Sequence, residues 1–270
     1  MMRLDGGAMF GIIPRPLWAP RIPPDDHGRI RLAVRPMLVR VDDRVILVDT
    51  GMGSKWSERD VERYGVDQSE HDLLRSLREA SVAPEDVTDV VLTHLHFDHA
   101  GGTTSRDADG TLQLVFPNAR HHLQRRNLQQ ALRPTSRDRG SYLAESFSPL
   151  IGASQLVLHD GPFELAAGVD TIVRDGHTIG LQMVRVRDPA GVDPWLLFTA
   201  DVLPTSAHLA AAWVMGYDLR PDVSAREKAR LVERAVTDKG LLFYEHDPVV
   251  VASTVELDDR GRPKVGESFS

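Results

Sequence analysis

The chain has 270 residues, 41% hydrophobic and 26% charged, with a net charge of −7 and no cysteine. Disulfides, thiolate metal sites and cysteine nucleophiles are therefore excluded, so a metal site here must be built from nitrogen and oxygen. The acidic balance, with no long basic run, argues against a nucleic-acid partner, and no apolar stretch reaches the length of a membrane span.

The chain opens with Gly6-Gly7-Ala8-Met9-Phe10-Gly11 and Pro16-Leu17-Trp18. Residues 1–11 lack the apolar core of a signal peptide, which makes the cytoplasm the expected compartment. Residues 1–30 read as a loop whose Met9, Phe10 and Trp18 could wall an apolar pocket or pack on the core. Residues 32–41 and 44–49 are β-rich around Asp42-Asp43 and predict a hairpin. Leu73, Leu74, Leu77 and Ala80 share one face of a helix over 69–80. Val90-Val91-Leu92 is a short buried strand, and 112–116 is another. Helices are expected at 121–132 and 141–150, with the arginine-rich 133–139 between them as a solvated loop or lid. Strands follow at 155–158, 169–173, 179–186 and 196–199. Ser224-Ala225-Arg226-Glu227 has the capping-box pattern and starts a helix through Leu231, Val232 and Ala235. Runs at 241–244 and 249–257 close the chain as strands. The order predicts an α/β (α+β) chain with two layers of sheet and helices outside.

Residues 94–99 read His-Leu-His-Phe-Asp-His, four potential metal ligands in six positions. Neutral imidazoles suit a divalent ion as nitrogen donors, and the carboxylate adds a hard oxygen. The run begins at the end of the 90–92 strand, where side chains are held firmly, and Gly101-Gly102 would let backbone pass close to an ion or substrate. Three later residues stand at the edges of strand-like runs: His177, Asp201 and His246. Singly they read as a turn histidine, a helix cap and a loop residue. Together with 94–99 they point to a metal site along one sheet edge.

These residues, with Asp49-Thr50-Gly51, Gly176-His177, Thr199-Ala200-Asp201 and Glu245-His246 in this order, resemble the metallo-β-lactamase-fold hydrolases from about residue 30 to 255. The resemblance implies a single domain over 1–270, a four-layer αββα sandwich of two mixed sheets flanked by helices, with two metal ions at one edge. It implies that His94, His96 and His177 hold one ion. Asp98, His99 and His246 would hold the other, with Asp201 bridging both. Asp49 would buttress the ligand loop rather than bind metal. Two dications sharing a water can make it a hydroxide nucleophile near neutral pH. Asp98, besides being a ligand, could carry a proton from the attacking water to the leaving group. Zinc is the expected metal; manganese, iron or cobalt also suit such a donor set.

The expected activity is cleavage of an ester, lactone or related bond in a small, fairly apolar substrate. The chain ends 24 residues after His246, which leaves no room for the helical glutathione-binding region of glyoxalase II enzymes. The pattern is closest to methyl-parathion-hydrolase-like and lactonase-like members. Many acyl-homoserine lactonases carry a tyrosine three residues after the bridging aspartate, where this chain has Pro204. The alternatives are an N-acyl-homoserine lactonase as the specific hydrolase, a mononuclear-iron oxidoreductase of sulfur-dioxygenase type on the same scaffold, and a non-catalytic binding protein that kept the fold, against which the intact ligand set argues. The family's di-iron oxidoreductases typically have glutamate where this chain has His96, which favours a hydrolytic zinc site. His208 and Trp213, downstream of Asp201, are further candidates for the substrate pocket. The expected partner is a small-molecule substrate, with no nucleic acid and no membrane; a homodimer is compatible with the pattern.

Overall fold

The computed structural model describes residues 1–191 and 194–270. The chain divides into two compact units: Met1–Ala33 with Pro162–Ser270, and Val34–Gly161.

The first unit begins with β1 (Met2–Asp5), α1 (Gly6–Phe10), α2 (Arg15–Trp18) and β2 (Arg29–Leu32). β1 and β2 pair antiparallel, Met2 opposite Leu32 and Asp5 opposite Arg29. The segment read as a loop thus folds into a small ladder with two helical turns. The Asp5 carboxylate caps α1 at the Ala8 amide. Alternation along 2–5 and 29–32 is too short to announce strands before the pairing is known.

The second unit contains β3 (Met37–Val41), β4 (Arg44–Val48), α3 (Glu58–Tyr64), α4 (Leu73–Glu79), β5 (Asp89–Val91), α5 (Phe97–Ala100), β6 (Thr104–Arg106), β7 (Leu112–Leu114), β8 (Arg120–Gln124), α6 (Arg125–Leu132) and β9 (Leu156–His159). Its main sheet has the order β3-β4-β5-β8-β9. The β3–β4 hairpin is antiparallel and the remaining pairs are parallel. Leu77 of α4 and Leu128 and Ala131 of α6 pack with Leu47, Val90, Leu92 and Leu123 in one buried cluster. Two expected helices change here. Residues 120–124 are strand, so His121 and His122 lie on β8, and the helix starts only at Arg125. Residues 141–150 form short 3-10 turns. Pro149 has no amide hydrogen to continue an α-helical ladder there.

The first unit resumes with β10 (Glu164–Ala166), β11 (Val169–Arg174), β12 (Leu181–Val186), β13 (Leu196–Phe198), α7 (Pro221–Asp238), β14 (Leu241–Phe243), β15 (Ala252–Leu257) and β16 (Pro263–Phe269). These eight strand and helix segments form a seven-stranded sheet in chain order, with α7 as its crossover. Only β13–β14 is parallel. That pairing requires a long connection, which the 18-residue α7 supplies. The face of α7 carrying Leu231, Val232 and Ala235 is buried.

Candidate metal centre

In the second unit, parallel β4 and β5 are in register with Val48 opposite Val91. The residues just beyond those strand ends therefore meet. Asp49 is fully buried and adopts a left-handed backbone, φ 59°, which aspartate tolerates better than most residues. One carboxylate oxygen accepts the Thr93 amide at 2.7 Å. The other accepts the Thr93 hydroxyl at 2.7 Å and His99 Nδ1 at 3.0 Å. The Thr93 hydroxyl has one proton, and Asp49 takes it. Toward His94 Nδ1, 3.0 Å away, that oxygen can only accept. His94 and His99 therefore both carry their hydrogen on Nδ1 and present Nε2 as a donor atom. Asp49 thus orients two imidazoles of the motif.

The rest of the motif is held as firmly. The Leu95 amide donates to Asn127 Oδ1 on α6 at 3.0 Å. His96 stands at the start of α5, which carries Asp98 and His99. The His94 and His99 rings are 4.0 Å apart, those of His94 and His96 4.4 Å. His99 Nε2 lies 3.8 Å from Asp98 Oδ1. A Cβ on Gly101 would come 2.3 Å from the Met52 carbonyl oxygen, and one on Gly102 2.2 Å from that of Thr50. Those glycines were expected to admit an ion or substrate; their observed role is to let the 50–52 backbone reach the ligand loop.

In the first unit, the parallel register sets Phe198 opposite Phe243. Asp201 and His246 each stand three residues beyond that pair, at one end of the sheet. β12 runs antiparallel to β13, so His177, just before β12, comes to the same end. His177 Nε2 is 3.1 Å from Asp201 Oδ2, and His246 Nε2 is 3.2 Å from Asp201 Oδ1. The far side of each ring is fixed. His177 Nδ1 donates to Asp218 Oδ1 at 2.9 Å, and His246 Nδ1 donates to the Ala33 carbonyl at 2.8 Å. Carbonyl and carboxylate oxygens only accept, so both hydrogens sit on Nδ1.

An Nε2 facing a carboxylate oxygen is stable only with a proton or a metal cation between them. With bonds of about 2.0–2.2 Å to zinc, two ligand atoms lie about 2.9 Å apart at a right angle and about 3.4 Å apart in a tetrahedron. The two observed separations fall inside that interval. Each oxygen of Asp201 faces a different histidine. The donor set fits divalent transition metals.

Other expected site residues fall elsewhere. Met9, Phe10, Trp18 and His208 are buried. Phe10 is stacked on Trp18 at 5.3 Å and on His208 at 4.5 Å, so these four are packed rather than lining an open pocket. Trp213 is half-buried, with the Arg21 guanidinium 4.5 Å over its ring. The 133–139 loop is tied down by the buried Asp138 carboxylate, which accepts from the Thr135 amide, the Thr135 hydroxyl and Gln130. Sequence reasoning missed Asp218, Ala33 and Asn127. Each sits far along the chain from the group it holds, and none belongs to a residue pattern that signals a partner.

Residues 30–246 match the family model of the Metallo-beta-lactamase superfamily. An N-acyl homoserine lactonase of Bacillus thuringiensis is 25% identical over 246 residues, covering 82% of this chain and 88% of the relative. Among solved structures, a probable metal-dependent hydrolase from Staphylococcus aureus has a TM-score of 0.86 and 27% identity, covering all of this chain (100%) and 95% of its own. AidC, a dizinc quorum-quenching lactonase in complex with a product, has a TM-score of 0.76 and 20% identity, covering 99% of this chain and 92% of its own. That last likeness concerns the fold alone.

Proposed function

The chain belongs to the metallo-beta-lactamase superfamily, and from that premise we propose that it is a zinc hydrolase acting on lactones. The family match runs through both compact units, so residues 1–270 are taken to work as one domain. His94, His96 and His177 would hold one ion. Asp98, His99 and His246 would hold the other, and Asp201 would serve both. The observation that carries the reading is Asp201, each of whose oxygens faces the Nε2 of a different histidine at 3.1 and 3.2 Å. The curated relatives, named as N-acyl homoserine lactonases, support the substrate class.

Bound dications supply acidity to a water and polarise the carbonyl of the substrate. The protein's own groups do the rest. Asp49, Thr93, Asp218 and the Ala33 carbonyl keep four imidazoles in the Nδ1–H form, so each Nε2 stays a donor without reorganisation. The Asp98 carboxylate takes the proton released as water adds to the lactone carbonyl. It returns that proton to the ring oxygen as the C–O bond breaks, leaving a hydroxy acid. Pro204 occupies the position of the lactonase tyrosine, and its carbonyl accepts the His246 amide at 3.0 Å. That position therefore offers no side-chain hydroxyl to the substrate. The relatives named above, lactonases and a probable metal-dependent hydrolase, do not favour the iron-oxidoreductase alternative.

The test is a panel of lactones, aryl esters, phosphotriesters and β-lactams on zinc-loaded protein, with metal content measured in parallel. Two zincs per chain and faster turnover of lactones than of β-lactams are expected. A β-lactam preference would overturn the substrate class, and one iron per chain the metal reading.

A further inference from the structure

Residues 1–29 precede the part of the chain that matches the family, yet they are built into the first unit through its ligand-bearing loops. The β1–β2 ladder closes this N-terminal arm on itself. α1 follows directly after β1, and Ala33 directly after β2, so one ladder fixes the position of both. Ala33 exchanges two hydrogen bonds with His246: its amide donates to the His246 carbonyl at 3.1 Å, and its carbonyl accepts His246 Nδ1 at 2.8 Å.

α1 grips the long segment that follows Asp201. The Gly216 amide donates to the Ala8 carbonyl at 2.7 Å. His208 Nε2 donates to the Met9 carbonyl at 2.9 Å, and the Thr205 hydroxyl donates to His208 Nδ1 at 2.7 Å. The Phe10 ring lies on the His208 ring, 4.5 Å away and within 2° of parallel. Trp213 meets Phe10 edge-on at 5.7 Å, and from α7 the buried Lys228 ammonium donates to the Trp213 carbonyl. A side chain at Gly11 would run into the Val214 carbonyl at 2.6 Å, so the two backbones are in contact. Burial pushes His208 down to about 3, which keeps one nitrogen a donor and the other an acceptor throughout the neutral range.

We propose that the N-terminal arm positions the metal ligands of this unit, holding His246 through the Ala33 carbonyl and the Asp201 segment through His208. His208 is a positioning residue: it touches neither substrate nor ion but locks the segment on which Asp201 is carried. The proposal rests on the zinc reading given above. An imidazole buried between a threonine hydroxyl and a backbone carbonyl is a directional brace, which an apolar residue of similar size would fill without bracing.

Three full-length variants test this: His208→Leu, His208→Gln and Thr205→Val. Zinc affinity is read by chelator competition, kcat and KM on a lactone, and thermal unfolding on zinc-stripped protein. His208→Leu is expected to weaken zinc binding about 10- to 100-fold and to lower kcat similarly, with KM little changed. His208→Gln, whose amide again sets a donor and an acceptor, is expected to restore most of both. Thr205→Val, close in shape to threonine, should weaken zinc binding several-fold and carries the test if His208→Leu does not fold. Wild-type zinc affinity in a folded His208→Leu or in Thr205→Val would overturn the proposal, as would a His208→Gln as impaired as His208→Leu. Failure of the unaltered protein to bind zinc would instead remove the reading beneath it.

Discussion

Asp218→Ala separates the holding of a ligand from the ligand itself. The Asp218 carboxylate accepts His177 Nδ1 at 2.9 Å, with both side chains 3% exposed or less. A buried hydrogen bond to a charged group is worth about 1.5–3 kcal/mol. Its loss makes His177 free to rotate and less basic, and each 1.4 kcal/mol is about tenfold in affinity. Zinc binding is therefore expected to weaken about 10- to 100-fold in Asp218→Ala, and by less in Asp218→Asn, which keeps an acceptor oxygen but loses the charge. There is a second consequence. Lys228 is buried, and burial pushes its ammonium down to about 7, with the Asp218 charge opposing the fall. Without Asp218 the lysine falls further below the usual ammonium range, so folding must discharge it at greater cost at neutral pH and the zinc-free protein should also lose stability. Adding Lys228→Met should return part of that stability, less the lost hydrogen bond to the Trp213 carbonyl, without returning the zinc affinity. The assay is chelator competition beside chemical denaturation of the stripped protein. A folded Asp218→Ala with unchanged zinc affinity would refute the orientation argument. Joint recovery of stability and affinity in the double variant would show that the carboxylate acts on the fold alone.

Asp98→Ala should lower both the zinc content and the turnover, and full activity with two zincs bound would rule out either role for this carboxylate. Gly102→Ala should cost about 1–3 kcal/mol, as overpacking does, because its Cβ would press 2.2 Å from the Thr50 carbonyl; an unchanged melting temperature would contradict that. Stability should fall in acid. Burial pushes His121 down to about 4 and His208 to about 3 from 6.5, so between 6.5 and those values the unfolded chain binds protons that the folded chain refuses. The stability these neutral rings contribute is full above about 6.5 and declines below it, by on the order of 2 kcal/mol for each ring at pH 5. Denaturant titrations of zinc-free protein at pH 7 and pH 5 that coincide would disprove it.

Much of the fold was legible because the buried strands carry their own signature. The 37–41 and 44–48 hairpin and the short run at 89–91 carry the valines and isoleucines that a strand favours over a helix, and 241–243 is a short apolar run directly after Gly240. What was misread had two compatible periods. In 120–132, the apolar residues Leu123, Leu128 and Ala131 fit a helical face, and the strand Arg120–Gln124 is revealed only by its parallel partners β5 and β9. In 141–150, Leu143, Phe147 and Leu150 have helical spacing, yet the buried side chains are served by successive 3-10 turns. β16 was missed because the exposed Lys264 and Glu267 leave its edge strand little apolar pattern.

For the site the division follows the chemistry of the two sides of an imidazole. The side that would face a metal must be a histidine nitrogen or a carboxylate, so it leaves a residue signature: the crowded 94–99 run and the strand-end positions 177, 201 and 246. The other side needs only an oxygen that accepts a hydrogen. A threonine hydroxyl does this for His94, an aspartate for His99 and His177, and a main-chain carbonyl for His246. A backbone carbonyl belongs to every residue, so no pattern could single out Ala33. Yet these acceptors decide which nitrogen carries the hydrogen, and so whether the other can bind a cation at all. The histidines alone would be as consistent with a cluster of buried, metal-free rings. It is the common placement of the hydrogen on Nδ1 in all four that turns a histidine-rich sequence into a site prepared for metal.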